Sequence, residues 1–110
     1  MKSNNYQYLA ARTINPALTR KEKEAHALFG MCAETGEIQG IYQKSYNGHK
    51  INEEHLKKEV GDLLWFIAEF CTAKGWTLNE VMKLNIEKLE ARYPNGFESE
   101  KSLNRKEGDV

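Results

Sequence analysis

Two pairs of carboxylates are spaced to act together: Glu34-x-x-Glu37 and, after a linker, Glu59-x-x-Asp62. Residues three apart on a helix share a face, so each pair directs two acids the same way. Both pairs adjoin apolar runs, Phe29-Gly30-Met31-Cys32-Ala33 for one and Leu63-Leu64-Trp65-Phe66-Ile67 for the other. Four acids gathered beside a core repel one another and shift their proton affinities unless a cation joins them. A hard divalent metal with oxygen ligands is the simplest such partner, and Mg²⁺ is the usual one. The pattern marks a candidate metal-dependent enzyme.

A third set carries the opposite charge. Asn85, Lys88 and Arg92, at i, i+3 and i+7, form a polar stripe beside Leu78, Val81, Met82 and Leu89. If the three stripes converge, one cavity holds metal-binding acids next to phosphate ligands, as phosphate-ester chemistry requires. Each signal has an ordinary counterpart. A lone ExxE pair is more often a solvated face than a metal site, and a stripe such as Asn85/Lys88/Arg92 is more often surface charge. Lys44 reads equally well as an exposed side chain. His26, His49 and His55 lack ligand partners at standard spacing and are expected on the surface or in packing. The Glu-x-x-His pattern of carboxylate-bridged di-iron bundles is absent.

The elements that must position these groups are helices punctuated by Pro and Gly. A short amphipathic piece, Tyr6 to Arg12, is closed by Asn15-Pro16. Thr19-Arg20-Lys21-Glu22 reads as a capping box for a helix from Arg20 to about Tyr46, ending at Asn47-Gly48. Asn52 is the expected cap of a helix from Glu53 to about Ala73, stopped by Gly75. Thr77-Leu78-Asn79-Glu80, a second capping box, opens a last helix that runs to Arg92 before Tyr93-Pro94.

On the second helix, Ala25, Leu28, Phe29, Cys32 and Gly36 form one stripe, with Gly36 a point where a neighbour could approach closely. Glu34, Glu37, Ile41 and Lys44 lie on the other side. A helix apolar on both sides is expected to be sandwiched. The third helix carries a broad face of Leu56, Val60, Leu63, Leu64, Ile67, Phe70 and Cys71, bordered by Glu59 and Asp62, with Glu69 continuing their line. The expected class is all-α: an antiparallel bundle of about four helices, completed by oligomerisation. Residues 1–94 form the domain, and 95–110 a polar arm without periodicity.

At 110 residues the chain is one domain. Its 16 basic and 16 acidic side chains balance, so wholesale binding to nucleic acid or an anionic membrane is not expected. Cys32 and Cys71 fall in apolar helical patterns and are expected as buried reduced thiols. The longest apolar stretch, Val60 to Cys71, is broken by Asp62 and Glu69 and is too short to span a bilayer. No apolar segment follows Met1-Lys2-Ser3-Asn4-Asn5, so no secretory signal is visible and a cytoplasmic location is expected.

Taken in order, these residues resemble the MazG-like nucleotide pyrophosphohydrolases of the all-α NTP pyrophosphatase superfamily. The resemblance rests on Tyr6-Gln7 with Ala11-Arg12-Thr13, on Ala33-Glu34-Thr35-Gly36-Glu37-Ile38, and on Glu59-Val60-Gly61-Asp62-Leu63-Leu64-Trp65. Its last part runs from Asn85 through Lys88 and Arg92 to Tyr93-Pro94 and Gly96-Phe97. It implies hydrolysis of a (deoxy)nucleoside triphosphate to the monophosphate and pyrophosphate. It also implies Mg²⁺, with Mn²⁺ as a possible substitute, held by Glu34, Glu37, Glu59 and Asp62. Glu34 and Glu37 are the implied catalytic carboxylates, and Lys44, Asn85, Lys88 and Arg92 the implied substrate contacts. A homodimer or dimer of dimers is implied, with the site near the interface. His26, where many relatives carry a small polar residue, and the single Lys44 depart from the pattern. Two other readings stay open: a non-catalytic helical dimerisation module, and a nucleotide-binding regulator without turnover.

Overall fold

The computed structural model describes residues 1–106 and 108–109. It has five helices: α1 Ser3–Ala11, α2 Arg20–Ser45, α3 Glu53–Lys74, α4 Leu78–Arg92 and α5 Ser99–Leu103. Among the described residues an isolated bridge between Pro94 and Gly96 is the nearest approach to β structure. The class is all-α, as the helical periodicity predicts.

Local chemistry sets the helix ends. Thr19 accepts from the Glu22 amide while Glu22 accepts from the Thr19 amide, and Thr77 and Glu80 repeat the exchange at α4. Each box satisfies two amides that the helix cannot. Asn52 accepts from the His55 amide to start α3, and Gly75 ends it in the left-handed region at φ 75°. Arg20 then reaches across from α2, donating to the carbonyls of Ala73 (2.7 Å) and Lys74 (3.2 Å). Two helix termini are thereby tied together.

The main body is the antiparallel hairpin of α2 and α3, with α1 laid across α3. The Trp65 indole donates to Thr13 Oγ1 (2.8 Å) and to the Ala10 carbonyl (3.2 Å), fixing the end of α1 against α3. Gln7 does the same for α4: it donates to the Trp76 carbonyl (2.9 Å) and accepts from the Leu78 amide (2.6 Å). The packing of α4 is thus chiefly with α1, and no comparable contact joins it to α2 or α3.

The close-approach glycine within the chain is Gly30 rather than Gly36. A Cβ at Gly30 would overlap the Phe66 ring, whereas one at Gly36 would meet nothing within 4 Å. Phe66 therefore lies directly on the α2 backbone.

The core is thin. Its buried apolar residues are Ala10, Ala27, Ala68, Cys71, Ala73 and Leu78, mostly small. Leu28 (52%) and Phe29 (75%) on α2 are open to solvent, as are Val60 and Leu64 on α3 and Leu84 and Ile86 on α4. Cys71 is buried as expected, but Cys32 is exposed, because the stripe it shares with Leu28 and Phe29 faces away from α3. The radius of gyration is 17.3 Å, against about 13 Å for a compact domain of this length. Splayed helices with bare apolar faces account for the difference.

Candidate active site

The antiparallel register of α2 and α3 brings the two acid pairs together. One carboxylate oxygen from each of Glu34, Glu59 and Asp62 lies within 4.8 Å of the others. Glu37 joins the group from the next turn of α2. A side-chain hydrogen bond to Glu59 and repulsion by its charge hold Glu37 above the usual carboxylate range; Asp62 adds to the shift and His55 opposes it. All four acids named by the helical spacing meet on one seam.

No Lys or Arg among the described residues neutralises them. Glu34 Oε2 and Glu59 Oε2 are buried and face no hydrogen-bond partner. The nearest basic group is the His55 ring, whose Nε2 stands 3.8 Å from Glu59 Oε1. Orphaned, partly buried carboxylate oxygens are expensive unless a cation occupies the space between them. Hard oxygen donors converging from two rigid helices fit a divalent metal such as Mg²⁺.

Two neighbours of the acids escape the sequence reading of the site. His55 comes into reach of Glu59 through i, i+4 spacing, a signal present in the sequence. Tyr6 approaches from α1; burial, and secondarily the Asp62 charge, push its hydroxyl above its ordinary value. Only the crossing of α1 over α3 brings Tyr6 there.

Farther along the seam the acid line ends in a different chemistry. Glu69, seven residues beyond Asp62 and so about 10 Å along the helix, is almost fully buried at 1% exposure. His26 Nδ1 lies 2.8 and 3.0 Å from its two carboxylate oxygens. The Trp65 and Phe66 rings pack against the imidazole, with centroids at 6.5 and 5.7 Å. Glu69 therefore has its own partner and does not extend the acid cluster.

The basic stripe of α4 does not reach the acids within one chain. Lys88 and Arg92 line a separate cavity at the far end of α4, to which none of the four acids contributes. Arg92 is engaged by Asp109, while Lys44 and Asn85 are exposed.

The family model of the MazG nucleotide pyrophosphohydrolase domain matches residues 25–97. The chain belongs to this family. The match runs from α2 through α4 and includes all four acids together with Lys44, Asn85, Lys88 and Arg92. MazG domains are generally metal-dependent, which agrees with the unneutralised carboxylates on the seam. Membership points to nucleotide pyrophosphohydrolysis as the class of activity. Searches of curated proteins and of solved structures returned no match to the chain. No helix among the described residues is long and apolar enough to cross a membrane.

Proposed function

We propose that the protein hydrolyses (deoxy)nucleoside triphosphates to the monophosphate and pyrophosphate, breaking the bond between the α and β phosphorus atoms. Glu34, Glu37, Glu59 and Asp62 would hold Mg²⁺, or Mn²⁺ in its place. The observation that carries this reading is the pair of buried, partnerless oxygens, Glu34 Oε2 and Glu59 Oε2, within the MazG-matched segment. Mg²⁺, when bound, supplies neutralisation of phosphate charge and activation of water.

The remaining work falls to the chain's own side chains. Glu37, whose proton affinity is raised by Glu59 in the metal-free chain, would accept the proton of the attacking water through its carboxylate. Glu34, one turn earlier on the same face, is the other acceptor. Lys88 and Arg92, with Asn85 and Lys44, would grip the phosphate chain, Arg92 through a two-pronged contact.

That division of labour needs a second copy. In one chain α4 packs on α1 and its basic stripe stays away from the acids. Leu28, Phe29, Leu84 and Ile86 offer uncovered apolar faces to a partner. We infer a homodimer or dimer of dimers in which α4 of one subunit serves the seam of another, acting on the cytoplasmic nucleotide pool.

The test is a panel of canonical and modified triphosphates, with pyrophosphate and orthophosphate measured separately, in Mg²⁺ and in EDTA. Pyrophosphate and monophosphate are expected as products, in Mg²⁺ alone. Release of orthophosphate with a diphosphate would overturn the bond assignment. No turnover across the panel, with Mg²⁺ and nucleotide still raising the Tm, would leave a nucleotide-binding regulator instead.

A further inference from the structure

After Tyr93-Pro94 the chain turns at Gly96 (φ 85°), stacks Phe97 on Tyr93 with ring centroids 5.4 Å apart, and forms the short α5. It then returns to α4. Asp109 meets Arg92 fork to fork, with Nε to Oδ2 and Nη2 to Oδ1 both at 2.9 Å. The contact is well shielded: the Arg92 side chain is 9% exposed and that of Asp109 17%. Between arm and helix lies a cavity of about 620 Å³, in whose described lining Lys88, Arg92, Lys101, Arg105 and Lys106 face the single carboxylate of Asp109.

We propose that this cavity is a polyphosphate site and that Asp109 is its built-in competitor, a carboxylate seated on Arg92 where a phosphate binds. The proposal rests on the reading of Lys88 and Arg92 as phosphate ligands and extends it to Lys101, Arg105 and Lys106 of the arm. Charge is the first argument. In the described lining five cationic side chains face one carboxylate, a balance that favours a multiply charged anion over a single carboxylate. Geometry is the second. A guanidinium fork takes carboxylate and phosphate in the same planar, two-bond manner, so Asp109 imitates the ligand it would exclude. Size is the third, since the volume falls within the range of about 300–1,000 Å³ usual for small-molecule pockets.

Displacement of Asp109 transfers Arg92 to the ligand and leaves the arm held by phosphate contacts from Lys101, Arg105 and Lys106. Phosphate binding then closes the arm over the anion rather than opening it. Before ligand arrives, the Asp109 contact lowers affinity by the worth of one shielded charge-assisted pair.

Calorimetric titration of inorganic pyrophosphate into metal-free protein tests this without reference to turnover. Asp109→Asn is expected to tighten pyrophosphate binding about tenfold, the worth of one hydrogen-bonded charge contact. Lys101→Ala/Arg105→Ala, which lies in the arm and spares α4, is expected to weaken binding by a similar factor. Nucleoside triphosphate should bind like pyrophosphate if the seat takes the substrate tail, and more weakly if it takes the released product; both support a polyphosphate site. A monophosphate bound as tightly as the triphosphate would overturn it, as would an Asp109→Asn protein that binds pyrophosphate no better than the parent. Because the readout is binding, failure here is distinct from failure of the hydrolysis reading, which shows as absent pyrophosphate release.

Discussion

The α2–α3 seam and the pocket under the C-terminal arm solve the same electrostatic problem in opposite ways. On the seam, like charges converge with no Lys or Arg counter-ion among the described residues, and two buried oxygens are left without a partner. Under the arm, cations converge and the chain supplies its own anion, Asp109, through a shielded two-bond contact. One region leaves its charges uncompensated by Lys or Arg among the described residues; the other carries its own counter-ion. Glu37 and Asp109 record the contrast, since the first is pushed up by neighbouring carboxylates and the second is held down by the Arg92 hydrogen bond. A fold that spends stability on unneutralised acids keeps them for what they bind.

The largest effect that could break this contrast comes from removing one acid. Glu59→Gln keeps shape and volume but deletes the charge nearest Glu37, Glu34 and Asp62. Altering a metal's outer-shell partners alone lowers activity by about 10–100-fold, so a direct ligand should lower kcat/KM by on the order of 10²-fold or more. Metal-free thermal stability should move the other way and rise, because a repulsive contact is gone. Pyrophosphate release within a few-fold of the parent would remove Glu59 from the site. A fall in metal-free Tm would mean the acids stabilise the hairpin, and the contrast with the arm would collapse.

How far the sequence foretold these regions depends on the range of the interactions. Helix ends were legible because Thr19 with Glu22, Thr77 with Glu80, and Gly75 act within a turn of themselves. The acid seam was legible for the same reason: i, i+3 spacing sets a face before any tertiary contact exists. Which residues oppose that face was not legible. Glu69 sits on the same line as Glu59 and Asp62, yet it meets His26 because the antiparallel register puts an imidazole there rather than an acid. Gly30, not Gly36, takes the close neighbour because Phe66 falls opposite it. The arm reads in sequence only as polar chain without periodicity, since its course depends on contacts back to α4, Phe97 on Tyr93 and Asp109 on Arg92 seventeen residues away. The exposed stripe of Leu28, Phe29 and Cys32 shows the same limit: an apolar face can be read from spacing, but not whether the chain covers it.

If a partner subunit brings its basic stripe to the seam, the α2 stripe is part of what holds the subunits together. Phe29, 75% exposed in the single chain, should then be buried in the assembly. Phe29→Glu removes roughly 2–3 kcal/mol of apolar burial, which corresponds to about 100-fold weaker association. Sedimentation should show the shift to monomer, and turnover should fall with it while each monomer keeps its helical content. An oligomer indifferent to this change would place the interface elsewhere. Loss of the oligomer with full activity would show that one chain's seam works alone.

The smallest expected effect separates the regions by sign. Glu37 holds its proton more tightly in the folded chain than in the unfolded one, so its contribution favours folding when protonated and fades as pH rises above the ordinary carboxylate value. Asp109 behaves in reverse: its contribution is complete above that value and is lost as pH falls through its lowered folded one. Glu22, lowered by hydrogen bonds from Thr19, acts with Asp109. Metal-free protein titrated downward from neutral should therefore gain slightly in Tm as Glu37 takes its proton, then lose stability below the usual carboxylate range. Mg²⁺ should abolish the rising limb, because protons and the cation compete for the same oxygens. Asp109→Asn should soften the falling limb and leave the rising one intact. A profile that only falls from neutral downward, with and without Mg²⁺, would mean the seam carries no electrostatic strain for a metal to relieve.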